Sequence, residues 1–125
     1  MSEISKNYVA GGAITKYRLA KFGAADRAAV QASAATDALI GVNAELDVVQ
    51  GERVDIVRSG FAPVQYGGNV TRGDPLTSDA NGKAIKANPA AGTRMSIAGY
   101  AEVSAVDGDI ELMLVAPGFI TTPAA

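Results

Sequence analysis

One six-residue stretch occurs twice in this chain and constrains the fold more than any other feature. Gly67-Gly68-Asn69-Val70-Thr71-Arg72 echoes Gly11-Gly12-Ala13-Ile14-Thr15-Lys16, 56 residues earlier. The echo continues downstream. Ile40-Gly41-Val42 returns as Ala98-Gly99-Tyr100, Gln50-Gly51-Glu52 as Asp107-Gly108-Asp109, and Val54–Val57 as Ile110–Met113, at spacings of 58, 57 and 56. A spacing held this closely over successive turn signals indicates two similar halves, about residues 8–60 and 64–118. Two copies make a duplication rather than a solenoid, which needs at least three stacked repeats.

A half of this length is marginal on surface-to-volume grounds, so the two halves are expected to share one core within a single β domain spanning 1–125. The chain is 48% hydrophobic and 19% charged, with a net charge of −2. That balance fits a globular chain, and it is too weakly basic for nucleic acid. Much of the apolar count is Ala and Gly, and Trp is absent, so the expected core is thin and oligomerisation is the expected supplement. With no Cys there is no disulfide framework or thiolate. With no His, the commonest general base and most zinc sites are also missing. The sequence shows no Sec signal and no apolar run long enough to span a membrane.

Short strands separated by turns dominate the reading. Met1–Tyr8 is polar and lacks periodicity; it reads as a flexible arm, either a frayed terminus or a segment that orders on a partner. Ala13–Phe22, Leu39–Val42, Glu45–Gln50 and Arg53–Ser59 read as strands, with Gly51-Glu52 the hairpin turn between the last two. Gly23–Ala38 holds eight alanines and has helical propensity. Its counterpart Ala80–Thr93 is rich in Asn, Gly and Pro and cannot be a long helix. The repeat therefore predicts a strand over Val30–Ala34 and a turn at Thr36-Asp37. In the second half, Gly73-Asp74-Pro75, Asp79-Ala80-Asn81-Gly82 and Asp107-Gly108-Asp109 mark turns. Met95–Ala105 alternates as an amphipathic strand, and Ile110–Val115 ends at Pro117-Gly118. Phe119-Ile120 then opens an apolar tail, 119–125. The predicted fold is mainly β, a small barrel or sandwich of two similar halves with short helices or none.

Candidate chemical motifs dissolve into turn chemistry. Gly68 and Gly73 have phosphate-loop spacing, yet Asp74-Pro75 follows where a lysine and a helix are required. Arg72-Gly73-Asp74 spells an integrin-type tripeptide but lies in a proline turn. Asp79–Gly82 lacks the remaining ligands of a calcium loop. Glu52, Asp74, Asp79, Asp107 and Asp109 flank turn glycines, where acids serve the backbone. No catalytic residue, metal site or cofactor is expected. The four tyrosines are too dispersed for a stacking platform.

The ordered series Gly67-Gly68, Val70–Leu76, Ser78–Ala84, Gly99 and Ile110–Gly118 resembles the small capsid cement, or head decoration, proteins of tailed bacteriophages. Some relatives in that family carry a RecA-like recombinase label, which the failed phosphate loop argues against here. The resemblance implies a β-rich virion protein made in the bacterial host cytoplasm. It implies binding to the major capsid protein on the outer capsid surface, usually as homotrimers, and stabilisation of the shell, with neither nucleic acid nor membrane as partner. Ile4 and Tyr8 are the expected capsid contacts, and Phe119 and Ile120 the expected oligomer contacts. Gly51, Gly73, Asp74, Pro75, Asn81, Gly82 and Gly108 are the expected structural turns. A glycan- or receptor-binding β module on a virion surface is the competing reading.

Overall fold

A computed structural model describes residues 3–123. Nine strands follow in order: β1 Ile4–Ala10, β2 Arg18–Phe22, β3 Ala28–Gln31, β4 Leu39–Asn43, β5 Arg53–Gln65, β6 Pro75–Ser78, β7 Ala84–Lys86, β8 Arg94–Ala101 and β9 Ile110–Thr121. No helix occurs among the described residues. The alanines of Gly23–Ala38 do not win a helix. β3 lies two residues earlier than expected, and Ala35-Thr36 turns the chain back into β4.

The strands close two five-membered rings. In the first, β1 pairs antiparallel with β5 and parallel with β3, β2 joins β3 to β4, and β4 returns to β5. In the second, β5 pairs with β9, β9 with β8, β8 with β6 and β6 with β7, and a parallel bridge from Tyr66 to Ala84 closes the ring. The same thirteen-residue strand β5 therefore closes the first barrel and opens the second.

The duplication persists at the level of single hydrogen bonds. Ile14 bridges Val48, and Val70 bridges Ala105. The Tyr17 N–H donates to the Asn43 carbonyl at 2.6 Å, and the Gly73 N–H donates to the Ala101 carbonyl at 2.7 Å. The Lys16 N–H meets the Asp47 carboxylate at 2.7 Å, and the Arg72 N–H meets the Ser104 hydroxyl at 3.2 Å. Gly41 and Gly99 share an unusual backbone, with φ of 155° and 151°. An added Cβ would lie 1.8 Å from the Val57 carbonyl oxygen at Gly41 and 1.8 Å from that of Leu114 at Gly99. Both strands need glycine because a neighbouring backbone occupies the side-chain position.

Three sequence expectations are corrected. Met1–Tyr8 is not an arm over its described part: Ile4–Ala10 is a barrel strand, and Tyr8 is core at 2% exposure. Its polar residues face solvent and cross-link to β5, through Asn7 Nδ2 to Asp55 at 2.9 Å and Arg53 Nη1 to Asn7 at 2.9 Å. Glu45–Gln50 makes only the Val48 bridge, so Gly51-Glu52 turns the chain between that bridge and β5. The last strand does not stop at Pro117-Gly118. Ala116 and Pro117 together oppose Ala98, forming a bulge that accommodates proline, and β9 continues to Thr121. Phe119 and Ile120 are therefore strand residues rather than a loose tail. Met1-Ser2 and Ala124-Ala125 lie outside the described residues.

The interior is also divided differently. Tyr8, Ala10, Ile14, Ala20, Ala29, Ile40, Val48, Val54 and Ile56 fill the first barrel. A second cluster fills the other barrel and runs on into Leu19, Leu39, Val42 and Val57 of the first half. Strands β2 and β5 bury both faces: Leu19 and Val57 point to the second cluster, their neighbours Ala20 and Ile56 to the first. Two buried clusters lie back to back, and the second is built from side chains of both halves.

Candidate functional site

Turn hydrogen bonds engage four of the five acids that flank turn glycines, Glu52, Asp74, Asp79 and Asp109. In Val49–Glu52, Thr71–Asp74 and Val106–Asp109 the last residue's carboxylate accepts from the first residue's N–H, at 2.8, 2.9 and 3.0 Å. The last residue's own N–H donates back to the first carbonyl. Gly51, Gly73 and Gly108 occupy the third position of these turns with φ near 90°. Tyr17 occupies the place of Gly73 in the first half and adopts φ of 69° despite its side chain. Pro75, next to Asp74, opens β6 opposite Tyr100.

Asp79 caps its hairpin by accepting from the N–H groups of Asn81 and Lys83 at 2.8 and 2.9 Å. That hairpin also joins the barrels. The Asn81 carbonyl accepts from Arg18 Nη1 at 2.8 Å and Gln31 Nε2 at 2.9 Å, and the Gly82 carbonyl accepts from the Leu19 N–H. Asp37 accepts from the Ser33 and Ala34 N–H groups and pairs with Lys21 at 3.2 Å. Burial pushes the Asp37 carboxyl upward, but those N–H donors and Lys21 outweigh it and hold it below its ordinary value.

The arrangement offers apolar surface rather than a reactive constellation. No group of three or more metal-ligating side chains occurs among the described residues. Among the described residues, Tyr66 has the one strongly displaced titration: burial, with a smaller contribution from the Glu111 charge, pushes its phenol up to about 12. Its hydroxyl is buried without a hydrogen-bond partner among the described residues, as is the Thr77 hydroxyl. A phenol held neutral in this way is a poor proton acceptor.

Two apolar surfaces stand out. The first is a cross-strand row on the outside of the second barrel, Phe61–Leu114–Tyr100–Pro75, running over β5, β9, β8 and β6. Leu112 beside Pro63 extends it. Tyr100 and Leu112 are 39% and 47% exposed. The second is duplicated. Residues 44–52 and 101–109 correspond at a spacing of 57, and each presents two exposed apolar side chains, Leu46 with Val49 and Val103 with Val106.

Of the residues singled out from sequence, Ile4 is exposed beside Ser59, whereas Tyr8 is removed from the surface. Its hydroxyl accepts from Arg58 Nη1. Phe119 is exposed under the Arg94 guanidinium, 4.5 Å from its ring centre, and Ile120 is half-buried opposite Met95. A cleft of about 200 Å³ separates Ala38-Leu39 from Pro117–Phe119. The structure does not bring Ile4 and Phe119 into one site. The twin tips and the apolar row went unremarked in the sequence. The tips, residues 44–52 and 101–109, are legible as apolar pairs repeating at 57 that lead into Gly-acid turns.

These features define a class: a tandem of duplicated small β-barrels, fused through one strand and carrying exposed apolar side chains. The profile of the phage cement proteins matches residues 3–115, and the chain belongs to that family of capsid-associated structural proteins. The chain is also similar in fold to the head fiber gp8.5 N base of bacteriophage phi29, known from a crystal structure. That likeness has a TM-score of 0.66 at 21% identity, covering 92% of this chain and 95% of the other. No curated protein sequence matches the chain.

Proposed function

We propose that this protein is a structural virion component that binds the outer surface of a phage capsid as a homo-oligomer, most simply a trimer, and stabilises the shell. The observation that carries this reading is membership of the cement family over nearly the whole chain. The geometry supports it. The barrels expose apolar side chains in groups, and grouped exposed apolar surface is the mark of a protein-binding face. Because Ile4–Ala10 is a strand of the first barrel with Tyr8 in its core, we do not place the capsid contact on that segment. We assign it instead to the twin tips Leu46/Val49 and Val103/Val106. Duplication presents the same contact twice per chain, and a trimer presents it six times, so weak contacts add through effective concentration.

Co-sedimentation with undecorated, expanded capsids tests the reading. Wild type is expected to pellet with capsids and raise their resistance to heat. Val49→Ser combined with Val106→Ser is expected to weaken capsid binding at least tenfold while the barrels stay folded, since both side chains are already in water. A protein that ignores capsids and binds a glycan as a monomer would replace this reading with the glycan-binding one.

A further inference from the structure

The strand that closes the first barrel does not stop there. β5 pairs with β1 through Ser59, then runs on as Gly60–Gln65, the opening strand of the second barrel. The strand that closes the second barrel behaves in the same way. β9 pairs with β5 through Val115 and then runs on to Thr121. The two run-ons share a dipeptide: Gly60-Phe61 returns as Gly118-Phe119, at a spacing of 58. Here no third barrel follows within the described residues.

What covers the two run-ons differs. Gly60–Gln65 is paired residue by residue with Val115–Ile110 on one edge, and its end is tied on the other by the Gln65 N–H to the Tyr17 carbonyl at 2.8 Å and by the Tyr66–Ala84 bridge. Gly118–Thr121 is paired on one edge only, by the lengthened start of β8, Arg94–Ile97. Among the described residues no strand pairs with the other edge of Ala116–Thr121. Open strand edges are normally blunted by charge, proline or a bulge. Pro117 and the bulge at Ala116-Pro117 blunt the start of this edge, whereas Gly118–Thr121 carries no charged residue and Phe119 is 62% exposed. The opening strand β1 has the matching deficit. Its outer edge meets β3 only at Val9 and Ala10, which leaves Ile4–Asn7 paired to β5 alone, with Ile4 64% exposed.

We propose that the open edge of β9, Gly118–Thr121, takes the β1 edge of a second copy of this chain, strand against strand. Within one chain the handover from barrel to barrel is a single continuous strand. Between chains, the closing strand of one copy and the opening strand of the next lie side by side. Main-chain hydrogen bonds supply the joint, and Phe119 and Ile4 supply the apolar cover. The contact is head-to-tail, so it yields a closed ring when its rotation closes and a filament when it does not. This inference rests on the oligomer proposed above and names its contact.

The absence of cysteine makes the test clean. Full-length Ser5→Cys protein carrying a mass tag is mixed with untagged Phe119→Cys, Ile120→Cys or Thr121→Cys protein under mild oxidation. Gln50→Cys, on an exposed turn, serves as the control. At least one of the three positions is expected to give mixed disulfides with the tagged chain, at tenfold or more over the control. Phe119→Lys is expected to raise the concentration needed for assembly at least tenfold by light scattering. An intact oligomer with cross-linking no better than the control overturns the edge contact and leaves the oligomer standing. A wild type monomeric at every concentration overturns both. Cross-links from positions 119–121 that form only to capsid protein assign the edge to the capsid and overturn the proposal.

Discussion

Gly41 and Gly99 show how a duplicated fold depends on an atom that is absent. Each has a backbone oxygen where a Cβ would stand, and each has φ in the range that side chains rarely adopt. Gly51 has φ of 91° but open space around it. Gly41→Ala and Gly99→Ala are therefore expected to cost about 3–5 kcal/mol, since a buried strand must shift. Gly51→Ala is expected to cost about 1–2 kcal/mol, from backbone strain alone. Urea unfolding of the three variants decides it, and equal losses would contradict the close-approach account. Tyr66 offers a second test at this scale. Its raised value means that the unfolded chain releases the phenolic proton first. Its contribution is therefore complete below about pH 10 and is lost as pH rises toward 12, by at most about 1.4 kcal/mol per pH unit. Tyr66→Phe is expected to flatten the alkaline limb of the stability profile. Because the hydroxyl has no partner, it should cost little at neutral pH, within about 1 kcal/mol.

β9 is the element on which the functional reading turns. It is twelve residues long; its first half is barrel wall and its second half is overhang. Phe119→Ser with Ile120→Ser removes apolar area from the overhang alone, since neither side chain belongs to either buried cluster. The double variant is expected to keep the monomer's melting temperature within a few degrees at high dilution. It should also dissociate at a concentration at least tenfold above wild type. The apolar contribution of about 1.5–3 kcal/mol for a fully buried side chain sets the scale of that shift. Analytical ultracentrifugation over a concentration series measures it. A variant that unfolds outright would show that the overhang belongs to the fold rather than to an interface.

At the scale of the whole molecule, two cores raise the question of whether the halves are independent. The second cluster takes Leu19, Leu39, Val42 and Val57 from the first half. Separating the halves returns those four side chains to water, a loss of roughly 6–12 kcal/mol. That is comparable to the roughly 5–15 kcal/mol by which a small domain is stable. It also severs β5, on which both rings close. Fragments Met1–Gly60 and Phe61–Ala125, expressed separately, are therefore expected not to melt cooperatively, whereas the full chain gives one transition by calorimetry. A fragment with its own sharp transition would mean that the closed ring suffices without its neighbour.

The sequence by itself determined the fold class and the duplication, because both are written in local signals. Turn glycines with their acids at fixed offsets, and an alternating apolar pattern, act over a few residues and recur at a nearly constant spacing. That constancy overrode the helical propensity of the alanines in Gly23–Ala38. It could also have placed β1, because Ile4–Ala10 stands 56 residues before Gly60–Tyr66, yet the polar Ser5, Lys6 and Asn7 concealed a strand whose pairing face is backbone. Only the tertiary structure decided how the strands close. That Tyr8 fills a barrel, that β5 serves two rings, that β2 buries both faces and that β9 passes through Pro117 depend on partners far away in sequence. Local pattern records which residues are apolar. It does not record which distant edge will satisfy a strand's hydrogen bonds, or which edge will be left open.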